Sequence, residues 1–308
     1  MSTSPQPQTT PPAALFDKIN KAYWNDPSVA STYTRAENAT VPFARHLVQK
    51  SGLPNTLTSP ISVFDLACGN GALASALYSS IPPSKWPLVT LLGGDKSEPM
   101  VSYMVSRAKS QGWTGLTGKV VDGTDMHDIP KHEFTHVFVN FGIFMMPPAT
   151  LGTCHDLLVR DKGFVGISTW SYLPWMRFVK KAISRMSAPQ PYCPSGEEVA
   201  AKVYNNIPWS SPSFLTSTLK EHGFVDVEAE TVRATAECGT PAEFCETMQM
   251  PLQLVAGFWG GEGEEKKILL DGLSKMFREV VVEEVGGEEG SLSMEFEAVL
   301  TTGWTKAQ

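Results

Sequence analysis

The stretch Val63-Phe64-Asp65-Leu66-Ala67-Cys68-Gly69-Asn70-Gly71 sets a carboxylate at the end of an apolar run and two glycines just beyond it. Glycine lets the backbone pass close to a ligand, and the N-terminus of a following helix attracts a carboxylate or phosphate. Two ligands compete for such a turn. A dinucleotide would use Ala74 as the third small residue and Asp95 as the ribose acid. Asp65 would then stand beside a pyrophosphate, which is unfavourable in a low dielectric. No Lys or Arg occurs between Val63 and Ser84 to offset it. A ligand that is cationic at one end and carries a single carboxylate suits Asp65 better, and the methionine part of S-adenosylmethionine (SAM) has that form. The plain structural alternative is that Asp65 caps the next helix.

Further acids and amides follow at strand ends. The second apolar run closes in Gly93-Gly94-Asp95-Lys96-Ser97-Glu98-Pro99-Met100, with Asp95 24 residues beyond Gly71. That spacing is close to the one expected of a ribose-hydroxyl acceptor, although Asp-x-Ser is also a common turn. Asp122-Gly123-Thr124-Asp125-Met126 comes after the third run. An acid there can accept from an adenine amino group and Met126 can pack on the ring, but surface acids after strands are frequent. The fourth run closes in Val139-Asn140-Phe141-Gly142, facing the same crevice.

The elements that must position these groups alternate. Strands are expected at 61–67, 88–94, 116–121, 134–141 and 163–170, with helices after the first, second and fourth. This is the pattern of a parallel sheet covered on both faces. Pro12 to Gly52 reads as helical, with Leu15, Phe16, Ile19 and Tyr23 and then Phe43, Leu47 and Val48 at helical spacing. Regularity stops between Ser171 and Trp209. A helix over Ser211–His222, with Ser211 as cap and Pro212 at its first position, leads to a strand over 224–232. Two helices outside the alternation follow, the first opened by the capping box of Thr240 and Glu243, and a last strand covers 293–302.

In this order and spacing, DLACGNG, GGDKSEPM, VVDGTDM and FTHVFVNFGIF resemble class I SAM-dependent methyltransferases, of the ubiquinone/menaquinone-biosynthesis type and its fungal secondary-metabolism relatives. The resemblance covers about Tyr33 to Trp170. It implies an α/β, Rossmann-like, seven-stranded and mostly parallel sheet with helices on both faces and helical cap insertions. It implies Asp65 and the backbone of Ala67, Gly69, Asn70 and Gly71 on the methionine moiety, and Asp95 with its neighbours Lys96 and Met100 at the ribose. Asp125 and Met126 then lie at the adenine, and Asn140 faces the crevice. Tyr33 and Thr40 match the helix that closes over the cofactor. The organisation expected is a disordered tail over 1–12, a helical cap over 13–60 and the SAM-binding domain over 61–308. Insertions at about 171–210 and 233–290 serve as substrate cover or as a homodimer surface.

Aromatic residues gather where the fold places its substrate. Phe141, Phe144, Met145, Trp170, Tyr172 and Trp175 predict a pocket for a bulky apolar or aromatic metabolite, with cap packing as the alternative for each. No catalytic base is assigned, because His127, His155 and His222 show no paired acid in the sequence. His132-Glu133-Phe134-Thr135-His136 matches the HExxH zinc signature, but it runs into a strand. Four residues of strand span about 13 Å, too far for two imidazoles on one zinc, so no metal is expected.

The totals exclude other classes. The chain has 308 residues, 25 Lys and Arg against 32 Asp and Glu, and no basic run longer than two. A nucleic-acid partner is therefore not expected. Five cysteines without a CxxC fit free thiols in the cytoplasm, and no apolar stretch fits a membrane span. The expected activity is methyl transfer to an O, N or C atom of a small molecule. Alternatives on the same fold are a non-methylating rearrangement or pericyclic step, a non-catalytic binding partner, and a nicotinamide oxidoreductase, which Asp65 disfavours.

Overall fold

A computed structural model describes residues 23–26, 28–261 and 263–306. The tail over 1–12 and the helical positions Leu15, Phe16 and Ile19 lie outside the described residues. The first long element is helix α1 (Val29–Lys50), followed by a single turn, α2 (Leu53–Thr56). The alternating part runs β1 (Ile61–Leu66), α3 (Ala72–Ser80), β2 (Val89–Asp95), α4 (Glu98–Gln111), β3 (Leu116–Val120), β4 (His136–Asn140), α5 (Thr150–Leu157) and β5 (Phe164–Trp170). Two helices, α6 (Met176–Arg185) and α7 (Gly196–Val203), precede α8 (Pro212–Glu221) and β6 (Val225–Gly239). Then come α9 (Pro241–Thr247), α10 (Gln249–Ala256), α11 (Glu264–Val285) and β7 (Leu292–Trp304).

The seven strands form one sheet in the order β3-β2-β1-β4-β5-β7-β6. β1 pairs in parallel with β2 and β4, and β4 with β5; β7 runs antiparallel to β5. Covered on both faces, the central strands read as continuous apolar runs instead of alternating ones. Val63, Phe64, Val137, Phe138, Phe164 and Val165 are all fully buried. The strand order reverses between β1 and β4, so their carboxyl ends form the crevice where ligands of such sheets bind.

Two compact units share the chain. The larger holds Trp24–Tyr172, Ile207–Ala236 and the residues from Glu295 on; the smaller holds Leu173–Asn206 and Glu237–Met294. In the smaller unit Phe178 of α6, Phe244 of α9 and Phe277 of α11 meet with ring centroids about 6 Å apart. Arg177 and Lys181 pair with Glu284 along the rim.

Several elements differ from the sequence expectation. The irregular stretch after Trp170 contains α6 and α7. The hydrophobic stripe of α6 is sound, since Phe178, Val179, Ala182 and Ile183 are buried, but prolines on both sides hide it. Three helices stand where two were expected, because the chain breaks at Met248, which ends α9 and begins α10. Pro251 is accommodated in the first turn of α10, where no intrahelical donor is needed. β6 runs to Gly239, well past Val232. Capping at Ser211 and Thr240 matches the reading, each accepting from the backbone N–H three residues on; Ser97 caps α4 in the same way, a cap the sequence reading did not assign.

His136 begins β4, and burial lowers its pKa to about 4 from an ordinary 6.5. The unfolded chain therefore takes up a proton below pH 6.5 that the folded chain refuses until about pH 4. Stability is lost as pH falls through that window, by up to about 3 kcal/mol at 1.36 kcal/mol per pKa unit. Denaturant titrations from pH 7 to 4 should show this slope, and His136→Gln should flatten it.

Candidate functional site

The turn after β1 is built to bring backbone close to a ligand. Ala67, Gly69 and Gly71 all adopt left-handed backbone, with φ of 57°, 52° and 92°. At Gly69 a side chain would meet nothing within 4 Å, so that face of the turn is open. At Gly71 a Cβ would come within 2.9 Å of Met104 on α4. Gly71 therefore serves both the backbone angle and the seating of α3 against α4. Ala67 and, after β4, Phe141 (φ 57°) are strained, since left-handed backbone costs a non-glycine residue roughly 1–2 kcal/mol. Such strain concentrates at binding sites, where surrounding structure holds it.

Asp65 lies in this turn's supporting strand and is 1% exposed. Neither carboxylate oxygen has a hydrogen-bond partner among the described residues. Burial first, and then the charge of Asp95, push its pKa well above the ordinary carboxylate range. It therefore does not cap α3, whose N-cap is Gly71 with no side-chain bond. A buried acceptor without a donor costs about 1–3 kcal/mol, and more when charged. Asn70, also 1% exposed, adds a carbonyl oxygen with no partner among the described residues.

Asp95 holds the turn from the next strand. One oxygen accepts from Gly69 N–H at 2.9 Å and the other from Ser97 N–H at 2.8 Å. The Asp-x-Ser turn and the contact to the glycine turn coexist, and each oxygen keeps a lone pair for a further donor. Burial raises its pKa and these bonds oppose the shift. Met100 is buried and donates its N–H to the Ser97 cap. Cys68, in the same turn, is buried, and burial, Asp95 and Asp65 push its thiol pKa well up.

The segment after β3 divides its acids. Asp122 accepts from Lys96 Nζ at 2.5 Å and from Thr124, and the bond to Lys96 foremost pulls its pKa down to about 2. Asp125 points to solvent and pairs with His127 Nδ1 at 2.7 Å, an acid partner the sequence did not reveal. Met126 is buried. On β4, Asn140 Oδ1 accepts from the Ser168 hydroxyl at 2.8 Å, which in turn accepts from Phe141 N–H. With Oδ1 on Ser168, the amide nitrogen of Asn140 lies on the other side. On α1, Tyr33 sits edge-on to Trp24 with centroids 5.3 Å apart, and Thr40 bonds back to Glu37 O.

The aromatic residues are packed on one another. Phe141 stacks on Trp170 at 3.8 Å, Phe43 meets both edge-on at 5.5 and 5.8 Å, and Phe296 lies 5.6 Å from Trp170. Phe144 is buried, whereas Met145 and Tyr172 are 39% and 43% exposed. Trp175 belongs to the smaller unit, as the residue before α6. The HExxH segment is not helical: His132 has φ 58° in a turn and His136 pairs with Val63 and Phe164. Among the described residues no group of three or more His, Cys, Asp and Glu could hold a metal ion, and no helix is long and apolar enough to cross a membrane.

No protein-family profile matches the chain. It is 28% identical over 284 residues to Methyltransferase tpcH of Aspergillus fumigatus, covering 91% of this chain and 97% of that one. It is 30% identical over 239 residues to the Acetylaranotin bis-thiomethyltransferase of Aspergillus terreus, covering 77% of this chain and 81% of that one. The chain belongs to this methyltransferase family. A phosphoethanolamine N-methyltransferase 2 of Haemonchus contortus, solved in complex with SAM, matches 95% of the chain at 13% identity and a TM-score of 0.55. The chain spans 60% of that structure, and the likeness concerns the fold.

Two residues that contact the glycine turn escaped the sequence reading. Buried Glu37 of α1 and half-buried Arg107 of α4 form a bidentate pair at 2.7 and 2.9 Å, and Glu37 also accepts from Asn70 Nδ2 at 2.8 Å. A signal existed, because Glu37 shares the buried face of α1 with Thr40, Ala44 and Leu47.

The methyltransferase also brings the ends of β1 and β4 into contact. A Cβ at Gly142 would overlap that of Ala67, although φ of −117° at Gly142 suits any residue. Gly142→Ala should thus destabilise the protein by about 1–3 kcal/mol through overpacking alone. Ala67→Gly in the same chain should restore most of the loss, which a double-mutant cycle by chemical denaturation would measure.

Proposed function

We propose that this methyltransferase takes its methyl group from SAM and delivers it to a small, largely apolar or aromatic metabolite. The observation that carries the reading is Asp65, a buried carboxylate with no partner among the described residues, beside a glycine turn with an open face. SAM supplies a sulfonium-activated methyl group. The chain's part is to bind and orient. Asp65 receives the ammonium end, and the backbone of Ala67, Gly69, Asn70 and Gly71 runs along the methionine. Asp95, seated by Gly69 and Ser97, accepts from the ribose with its remaining lone pairs, with Lys96 and Met100 beside it. Asp125 and Met126 serve the adenine, Tyr33 approaches from α1, and Asn140 offers donors in the crevice. In-line positioning of donor and acceptor supplies much of the rate in such a transfer.

The acceptor side draws on Phe141, Phe144, Met145, Trp170 and Tyr172, whose composition favours an apolar or aromatic substrate. The name of the A. terreus relative adds sulfur to the O, N and C acceptors to be screened. Five free cysteines support a reducing, cytoplasmic setting.

Calorimetric titration with SAM, S-adenosylhomocysteine and NAD tests the donor. Micromolar binding of the first two and none of NAD is expected. A folded sample that binds neither sulfur nucleotide would overturn the reading. Release of S-adenosylhomocysteine then reports the acceptor, and tight SAM binding with product formation but no such release would turn the proposal toward a non-methylating step.

A further inference from the structure

Three buried acceptor atoms in and beside the glycine turn lack donors among the described residues: both oxygens of Asp65 and the side-chain oxygen of Asn70. An ammonium group carries three N–H donors and no acceptor, so it complements this set. For Asn70 the choice of atom is not free. Its Nδ2 donates to Glu37 Oε2 at 2.8 Å. Glu37 in turn has both oxygens engaged by Arg107, at 2.7 and 2.9 Å. A guanidinium-paired carboxylate can only accept. Turning the Asn70 amide over would set its oxygen against that carboxylate. Arg107 closes the circuit, reaching Ser75 Oγ at 3.3 Å and the backbone oxygen of Asn70 itself at 3.5 Å. Helices α1 and α4 thus grip the residue between Gly69 and Gly71 from two sides.

We propose that Glu37 and Arg107 are positioning residues for the methyl donor, fixing the Asn70 amide so that its oxygen, with the Asp65 carboxylate, receives the donor's ammonium group. The inference rests on SAM being the donor. It makes the seat of α1 part of cofactor recognition, because removing the Glu37 carboxylate frees Asn70 to present either end of its amide.

The test compares two probes that differ in the ammonium alone: S-adenosylhomocysteine and its deaminated analogue, which keeps the carboxylate and the adenosine. Binding of each is titrated to the full-length wild type and to Glu37→Gln, Arg107→Lys and Asn70→Ala. In Glu37→Gln, affinity for S-adenosylhomocysteine should fall about tenfold or more, while the analogue changes less than about threefold. Arg107→Lys keeps the charge but loses the fork, so it should move the same ratio in the same direction; it carries the test if Glu37→Gln does not fold. Adding Glu37→Gln to Asn70→Ala should produce no further change in the ratio. Equal losses for both probes, or unchanged affinities with a lower melting temperature, would show a merely structural pair and overturn the inference. If the wild type binds S-adenosylhomocysteine and every variant keeps the ratio, this inference falls alone. If the wild type binds neither probe, the donor reading falls with it.

Discussion

Replacing Asp65 with asparagine should make the ligand-free protein more stable and its hold on an ammonium-bearing nucleotide far weaker. The side chain is fully enclosed, has no hydrogen-bond partner among the described residues, and faces the like charge of Asp95. Its folded-state pKa lies well above 3.8. As pH rises through the unfolded value, the unfolded chain ionises and the folded chain does not, so stability is lost with rising pH until the folded pKa is passed. Asparagine removes that slope. The gain at neutral pH should be on the order of 1–3 kcal/mol. Each kcal/mol is worth roughly 2–4 °C in a chain of this scale. Meanwhile, truncating one side of a desolvated charge pair costs about 2–5 kcal/mol of binding, on the order of a hundredfold in affinity. Scanning calorimetry of the free protein and titration with S-adenosylhomocysteine measure both. A variant that is less stable, or that binds as before, would show Asp65 to be a structural acid.

Asp95→Ala removes the other carboxyl group beside the glycine turn and should do the reverse to stability. Its two oxygens are the acceptors for Gly69 N–H and Ser97 N–H. Without them two backbone donors lose their partners at about 1–3 kcal/mol each, and the glycine turn loosens from β2. The melting temperature should fall by several degrees. Binding should fail for every adenosine-bearing ligand, 5′-methylthioadenosine included, because the proposed ribose acceptor has gone. Asp65→Asn should leave 5′-methylthioadenosine almost untouched, since that ligand has no ammonium. Opposite stability effects with different ligand profiles would separate the two acids' roles. Intact 5′-methylthioadenosine binding in Asp95→Ala would remove Asp95 from the ribose.

What could be read beforehand was what the chain encodes locally. The glycine turn, the alternation of strands and helices and the caps at Ser211 and Thr240 depend on neighbours within a few residues, and they stand where the sequence put them. Direction is another matter: nothing in the hydrophobic pattern of Leu292–Trp304 distinguishes an antiparallel strand from a parallel one. Helix α6 was obscured by Pro174 before it and Pro189 after it, although its apolar stripe is intact. The Glu37–Arg107 pair joins positions 70 residues apart. Only the fold reveals that a glutamate on the buried face of α1 meets a cation on α4. The solvent-facing pair of Asp125 and His127 shows the limit from the other side, since adjacency in sequence gave no sign of which acid would turn outward.

Cys68 has a chemical consequence of its own. A sulfonium methyl donor is an alkylating agent, and the thiol of Cys68 belongs to the turn proposed to hold it. The thiolate, not the thiol, is the nucleophile. Burial and the nearby carboxylates Asp95 and Asp65 keep Cys68 protonated far above the ordinary thiol range. Burial above all, and with it the acids proposed to attract the cation, therefore hold this sulfur in its unreactive form, which disfavours self-methylation at the turn.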